Sequence, residues 1–166
     1  MRPTLRLAAA ALLAATPLIA FSAPPAPAPE TLPIYDSTSI GALAIEAASK
    51  AAADSGRRLF VNFGTNDCAP CRVVNDAIYE EPFLTAFLNQ FVPVFVDAAP
   101  GASGNELLAR YGIDAGKGFP ALVLSDEKLR VAEATKNGEM AAVAAKGKDA
   151  VRGWILKRFL ETQEKK

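Results

Sequence analysis

Two cysteines, Cys68 and Cys71, stand with only Ala69 and Pro70 between them in the stretch LFVNFGTNDCAPCRVVNDAI, and the chain has no others. Cysteines this close serve as a structural staple, as part of a metal site, or as a dithiol that opens and closes as a disulfide. Zinc takes four ligands, usually Cys and His. The sequence has no histidine, so one pair closes no zinc site within a chain, and the remaining metal arrangement is two copies sharing their pairs. A c-type haem needs a histidine directly after the second cysteine, where this chain has Arg72. A staple stabilises mainly by restricting the unfolded chain, and so short a loop gains little. Redox exchange is the chemistry this spacing suits best.

Thiol–disulfide exchange needs a thiolate that attacks a sulfur and a second thiol that resolves the mixed disulfide. RLFVNF is a short apolar run with Val and two Phe, the pattern of a buried strand. Asn66 or Asp67 follows where a helix cap belongs, and CRVVNDAIY continues with Val73, Val74 and Ile78 in helical register. Pro70 falls in the first helical turn, where a missing N–H costs nothing. Cys68 is thus expected at a helix N-terminus, whose unpaired N–H groups and dipole stabilise a thiolate. Cys71 sits one turn further in, more buried. We assign Cys68 as nucleophile and Cys71 as resolving thiol, together a redox-active disulfide.

Other elements must hold this junction. Ser39 is expected to cap a helix with Ile40, Leu43, Ala44 and Ala47 on its apolar face and its end at Gly56. Pro82 interrupts the helix after the cysteines, and FLTAFLNQ completes it. FVPVFVDA makes a second buried strand, and Asn105 opens a short helix that stops at Gly112. FPALVLS and LRVAEA, joined by a turn at Asp126–Glu127, predict an antiparallel hairpin. Residues 149–162 predict an amphipathic helix with Val151, Trp154, Ile155 and Phe159 on one face, Trp154 belonging to the core. This order implies an α/β fold: a mostly parallel central sheet with a closing antiparallel hairpin and helices on both faces. Such sheets carry their working groups at strand carboxyl ends beside helix N-termini, where the cysteines fall.

The chain of 166 residues has room for one domain and a short extension. Eighteen basic residues balance eighteen acidic ones, which gives no global attraction to nucleic acid or to an anionic membrane. Arg2 and Arg6 precede an apolar run, Leu7 to Phe21, the charged and apolar regions of a secretory signal peptide. Small residues at Ala20 and Ser22 set the cut before Ala23, giving a signal peptide over residues 1–22. The run is shorter than the roughly 20 residues of a spanning helix, so an uncleaved anchor is the lesser alternative. Residues 23–36 are a proline-rich spacer without chemistry of its own, residues 37–162 the folded unit, and 163–166 a charged tail. Export places the cysteines in the periplasm, where disulfides persist.

With strand, C-x-x-C, helix, strand, helix and hairpin in place, the chain resembles the thioredoxin superfamily over roughly Ser37 to Thr162. The resemblance rests on LFVNFGT, CAPC and GFP (Gly118 to Pro120), and CRVVNDAIYEEPFLTAFLNQFVPVFVDA looks most like the exported branch. That branch includes the C-terminal domain of the transmembrane thiol:disulfide interchange protein. The resemblance implies a thioredoxin-like three-layer fold, a cis peptide bond at Pro120 that packs against the cysteines, and substrate peptide pairing beside Phe119 and Pro120. It also marks departures. The tryptophan usual before the first cysteine is Asp67, whose carboxylate opposes a thiolate on Cys68. The buried acid of thioredoxins is Asn62, which relays no proton; it is either a tuning group or a polar side chain satisfied within the sheet. Phe119 is bulkier than usual there. Arg72 and Lys117 are further cations that favour a thiolate if near it, and otherwise are solvated.

These features predict an exported thiol–disulfide oxidoreductase acting on protein thiols or disulfides, monomeric and without a bound cofactor. The balance leans to a reductase, which requires a membrane electron donor. A non-catalytic thioredoxin-fold binding module and a dimeric metal carrier are the competing classes.

Overall fold

All seven residues of the strand Arg58–Gly64 (β1) are buried, so both its faces must be covered. Its side chains alternate: Leu59, Val61 and Phe63 enter one apolar cluster, Phe60 the other. A computed structural model describes residues 32–126 and 128–164 of the chain. The expected signal peptide, the first part of the proline-rich spacer, Glu127 of the expected turn and the last two residues of the tail lie outside the described residues.

β1 pairs in parallel with Phe91–Asp97 (β2) and antiparallel with Ala121–Ser125 (β3), which pairs antiparallel with Val131–Ala134 (β4). The strand order is β2-β1-β3-β4. The α/β class and the hairpin stand as expected, but the sheet is mixed rather than mostly parallel. Only β1 and β2 are joined by helices; β3 arrives after two short 3-10 turns, Asn105–Tyr111 and Ala115–Lys117, and enters from the opposite direction.

One face is covered by Gly41–Ser55 (α1) and the first 3-10 turn, the other by Ala69–Ile78 (α2), Phe83–Gln90 (α3), Glu139–Ala144 (α4) and Lys148–Glu164 (α5). On the α2 face, Phe60, Phe87, Phe91 and Phe159 form a continuous aromatic run with ring centroids 5.0, 5.1 and 5.7 Å apart. Such pairs add about 0.5–1.5 kcal/mol each beyond their burial. Val151 and Ile155 of α5 are buried in this cluster, with Trp154 and Phe159 packed against it, as the helical spacing predicts.

Two expectations need correction, and one helix was not expected. Ser39 does not cap α1: the Gly41 N–H donates to Ser103 Oγ at 2.9 Å, a partner from the loop after β2. The buried face of α1 is also turned from the predicted one. Ile40 and Leu43 are more than half exposed, while Gly41 and Ala52 are buried and Ala44, Ile45 and Ala48 pack on the sheet. A Cβ on Gly41 would come within 2.8 Å of Val96, so glycine lets the helix start touch β2 and this contact fixes the rotation. Finally, α4 is a helix that the sequence reading passed over; at six residues, AAVA-rich and without a capping side chain, it offers a weak periodic signal.

Candidate active site

β1 ends at Gly64, and after three intervening residues the chain reaches Cys68, the N-cap of α2, with extended backbone (φ −83°, ψ 104°). The Cys71 N–H donates to Cys68 Sγ at 3.1 Å. Thus the cysteine itself takes the capping role predicted for Asn66 or Asp67, and Pro70 lies in the first turn as expected. Cys68 and Cys71 form a disulfide with Cα atoms 5.2 Å apart. The two sulfurs are unequal: Cys71 is fully buried, whereas Cys68 is partly open to solvent. In the closed disulfide the Cys68 sulfur thus already lies within reach of a backbone N–H at the helix N-terminus.

The side chain of Asn66 does a different task. Its Oδ1 accepts from the Ile34 and Tyr35 N–H groups at 2.9 and 3.0 Å, and its Nδ2 donates to the Tyr35 carbonyl at 3.0 Å. Arg72 donates from its guanidinium to the Asn66 carbonyl at 3.1 Å. Residues 34 and 35 are therefore strapped to the loop that carries the cysteines. The spacer was expected to run to residue 36 without chemistry of its own, yet Tyr35 is 1% exposed and belongs to the core. An apolar pair, Ile34-Tyr35, between the prolines and the first helix was the signal for this. It was passed over because the composition around it is that of a tether.

The Tyr35 hydroxyl donates to Asn62 Oδ1 at 3.1 Å. Burial above all, reinforced by the Asp97 carboxylate and opposed by the Asn62 hydrogen bond, pushes the Tyr35 hydroxyl well above its ordinary range, so it stays protonated. Asn62 is fully buried on β1, and its Nδ2 has no hydrogen-bond partner among the described residues. Asn62 is thus half satisfied, its Oδ1 engaged by Tyr35 and its Nδ2 without a partner among the described residues. Gly64 adjoins both groups: a Cβ there would collide with the Tyr35 hydroxyl and ring and lie 2.8 Å from Cys71 Sγ. Hydroxyl and sulfur thus converge on the space that glycine leaves open.

The other predicted residues are spread around this centre. The Phe119–Pro120 peptide bond is cis. Phe63 pairs with Ala121, so continuing the register one step sets Pro120 level with Gly64, at the sheet end where the cysteines begin. Pro120 is buried, and Phe119 is half-buried and packs on the α1-side cluster. Asp67 is exposed beside Cys68, and Lys117 is exposed on the second 3-10 turn.

A family model described as thioredoxin-like matches residues 41–127, half of the chain. Among solved structures, the fold is similar to a disulphide isomerase from Xylella fastidiosa Temecula1, at 22% identity and a TM-score of 0.69, covering 76% of this chain and 96% of that one. A thioredoxin from Thermus thermophilus matches at 21% identity and a TM-score of 0.45, covering 61% of this chain and 85% of that one, too distant to add to the assignment. No curated protein matches the sequence. With the matched region running from α1 through the cysteine pair to the end of β3, the chain belongs to the thioredoxin-like family.

Proposed function

We propose that the protein is a thiol–disulfide oxidoreductase that acts on protein cysteines through Cys68 and Cys71. The observation that carries the proposal is the pair itself. Two cysteines closed as a disulfide at a helix N-terminus, one partly open and capping the helix and one buried, have the asymmetry that stepwise exchange requires.

In the reducing direction, the Cys68 thiolate attacks one sulfur of a substrate disulfide. A Cys68–substrate bond forms, the substrate bond breaks, and its second sulfur leaves as a thiolate. Cys71, deprotonated, then attacks Cys68 Sγ; the Cys68–Cys71 bond forms and the first substrate sulfur leaves with the electron pair. Both substrate thiolates take protons from solvent. The protein ends two electrons oxidised, in the disulfide form, and a membrane-bound dithiol donor recharges it. The backbone beside Phe119 and Pro120, level with the end of β1, is the surface on which a substrate strand would pair. The apolar run at Leu7 to Phe21 supports export to the periplasm, where a monomer of this kind meets disulfide-bearing proteins.

The test is a glutathione titration of the Cys68–Cys71 couple. A potential near about −270 mV is expected, that of a reductant that must be recharged. A value near about −120 mV would reverse the direction, and the absence of any reversible couple would overturn the function. Cys68→Ser should abolish turnover of a model protein disulfide.

A further inference from the structure

The buried polar pair beneath the cysteines is not needed to hold a disulfide, and it carries a donor that the disulfide form leaves unpartnered. Burying a polar N–H without an acceptor is unfavourable, so Asn62 Nδ2 calls for a state in which it has one. The groups around it are Tyr35, whose hydroxyl carries a single proton now given to Asn62, and the buried sulfur of Cys71, which borders the same Gly64 gap. In the disulfide, that sulfur is uncharged and a weak acceptor. As a thiolate it becomes a charged and much stronger acceptor.

We propose that Tyr35 is a positioning residue for the resolving step: when the disulfide opens, its hydroxyl turns from Asn62 to the Cys71 sulfur and holds that sulfur as the thiolate. The Asn62 amide turns with it, and its Nδ2 then donates to the Tyr35 oxygen. The orphaned donor of the oxidised form is thereby satisfied in the reduced one. Tyr35 gives up no proton at any point. The Cys71 proton leaves to solvent, the thiolate attacks Cys68 Sγ, the Cys68–substrate bond breaks, and the substrate sulfur departs with the electron pair. Once the Cys68–Cys71 bond has formed, the hydroxyl returns to Asn62.

The ionisable groups around this pair are few. Asp97, at the end of β2, acts on Tyr35 and keeps the phenol protonated, which makes it a donor rather than a base. Arg72 is engaged with the Asn66 carbonyl, and Asp67 faces solvent. The hydroxyl that borders the Gly64 gap is therefore a neutral donor.

This inference rests on the redox reading, but its test does not use turnover. In a full-chain Cys68→Ser variant, Cys71 is the sole thiol, and its ultraviolet thiolate absorbance can be titrated with pH. Adding Tyr35→Phe, which keeps the ring and removes only the hydroxyl, should raise the Cys71 pKa by about one unit, leaving about tenfold less thiolate below it. An unchanged titration in a variant that melts like its parent would overturn the role. A second measurement avoids substitution at Tyr35. In the wild-type chain, the ring-carbon NMR signal of Tyr35 should move on reduction at a pH above the Cys71 pKa, and a signal that stays fixed overturns the proposal. A reversible glutathione couple together with either negative result removes Tyr35 alone, whereas loss of the couple removes the function itself.

Discussion

The two ends of α2 hold their polar groups in opposite ways. At the N-terminal end, Tyr35, Asn62 and Cys71 are buried and uncharged, and one donor has no partner. At the C-terminal end, Glu80 sits half-exposed between Lys148 at 2.8 Å and Arg152 at 2.5 Å, and Arg152 also donates to the Ala77 carbonyl at 3.0 Å. The charged end is fully partnered yet weakly held, because water screens exposed ion pairs. The neutral end makes fewer hydrogen bonds, but each is made where water does not compete. A helix can thus be anchored by charge at one end and kept adjustable by neutral groups at the other.

Breaking the neutral end should have the larger effect. Gly64→Ala would push a methyl into the Tyr35 ring and to within 2.8 Å of Cys71 Sγ, and should destabilise the disulfide form by about 1–3 kcal/mol in chemical denaturation. A stability equal to wild type would mean that Tyr35 and Cys71 are not packed through this gap. Next comes the strap. Asn66→Ala removes the three hydrogen bonds to residues 34 and 35 and should cost about 1–2 kcal/mol, with faster amide exchange at Ile34 and Tyr35. Unaltered protection at those two amides would show that the segment is held by the Tyr35 ring alone.

The smallest effect belongs to the charged end. Hydrogen bonds from Lys148 first and Arg152 second, with the charge of both, hold the Glu80 carboxyl below its ordinary range. Its folded value is thus lower than its unfolded one. The contribution is present above the unfolded value and lost as pH falls through the folded one. Glu80→Gln should lower the melting midpoint slightly near neutral pH, and the two proteins should melt together in acid. A gap that persists in acid would assign the difference to packing rather than charge.

The same contrast explains what could be read from the residues alone. β1, β2 and the α5 face announce themselves because burial on both faces leaves short, mostly apolar runs, and because Val151, Ile155 and Phe159 recur at helical spacing. The cysteine pair is equally legible, since proline and spacing fix its place on the helix. Partners brought from far along the chain are not. Ser39 is a good capping residue by type, yet Ser103 does the capping; Asn66 stands in a capping position, yet its amide holds Tyr35. Short polar side chains satisfy whichever backbone group lies nearest in space, and nothing local records which that is. The rotation of α1 was missed for the same reason, because it is set by the close approach of Gly41 to Val96 rather than by the hydrophobic stripe.

The cap of α1 has a consequence for the way the chain folds. Gly41 waits for Ser103, and residues 34 and 35 wait for Asn66, so these segments take their partners from segments made after them. Closing loops of that length is entropically costly until the sheet exists to reward it. The start of α1 therefore locks only after β2 and its following loop have docked. A nascent chain ending before residue 103 would carry a first helix whose opening N–H has yet to meet its partner, so the start of that helix is fastened by a part of the chain made some sixty residues later.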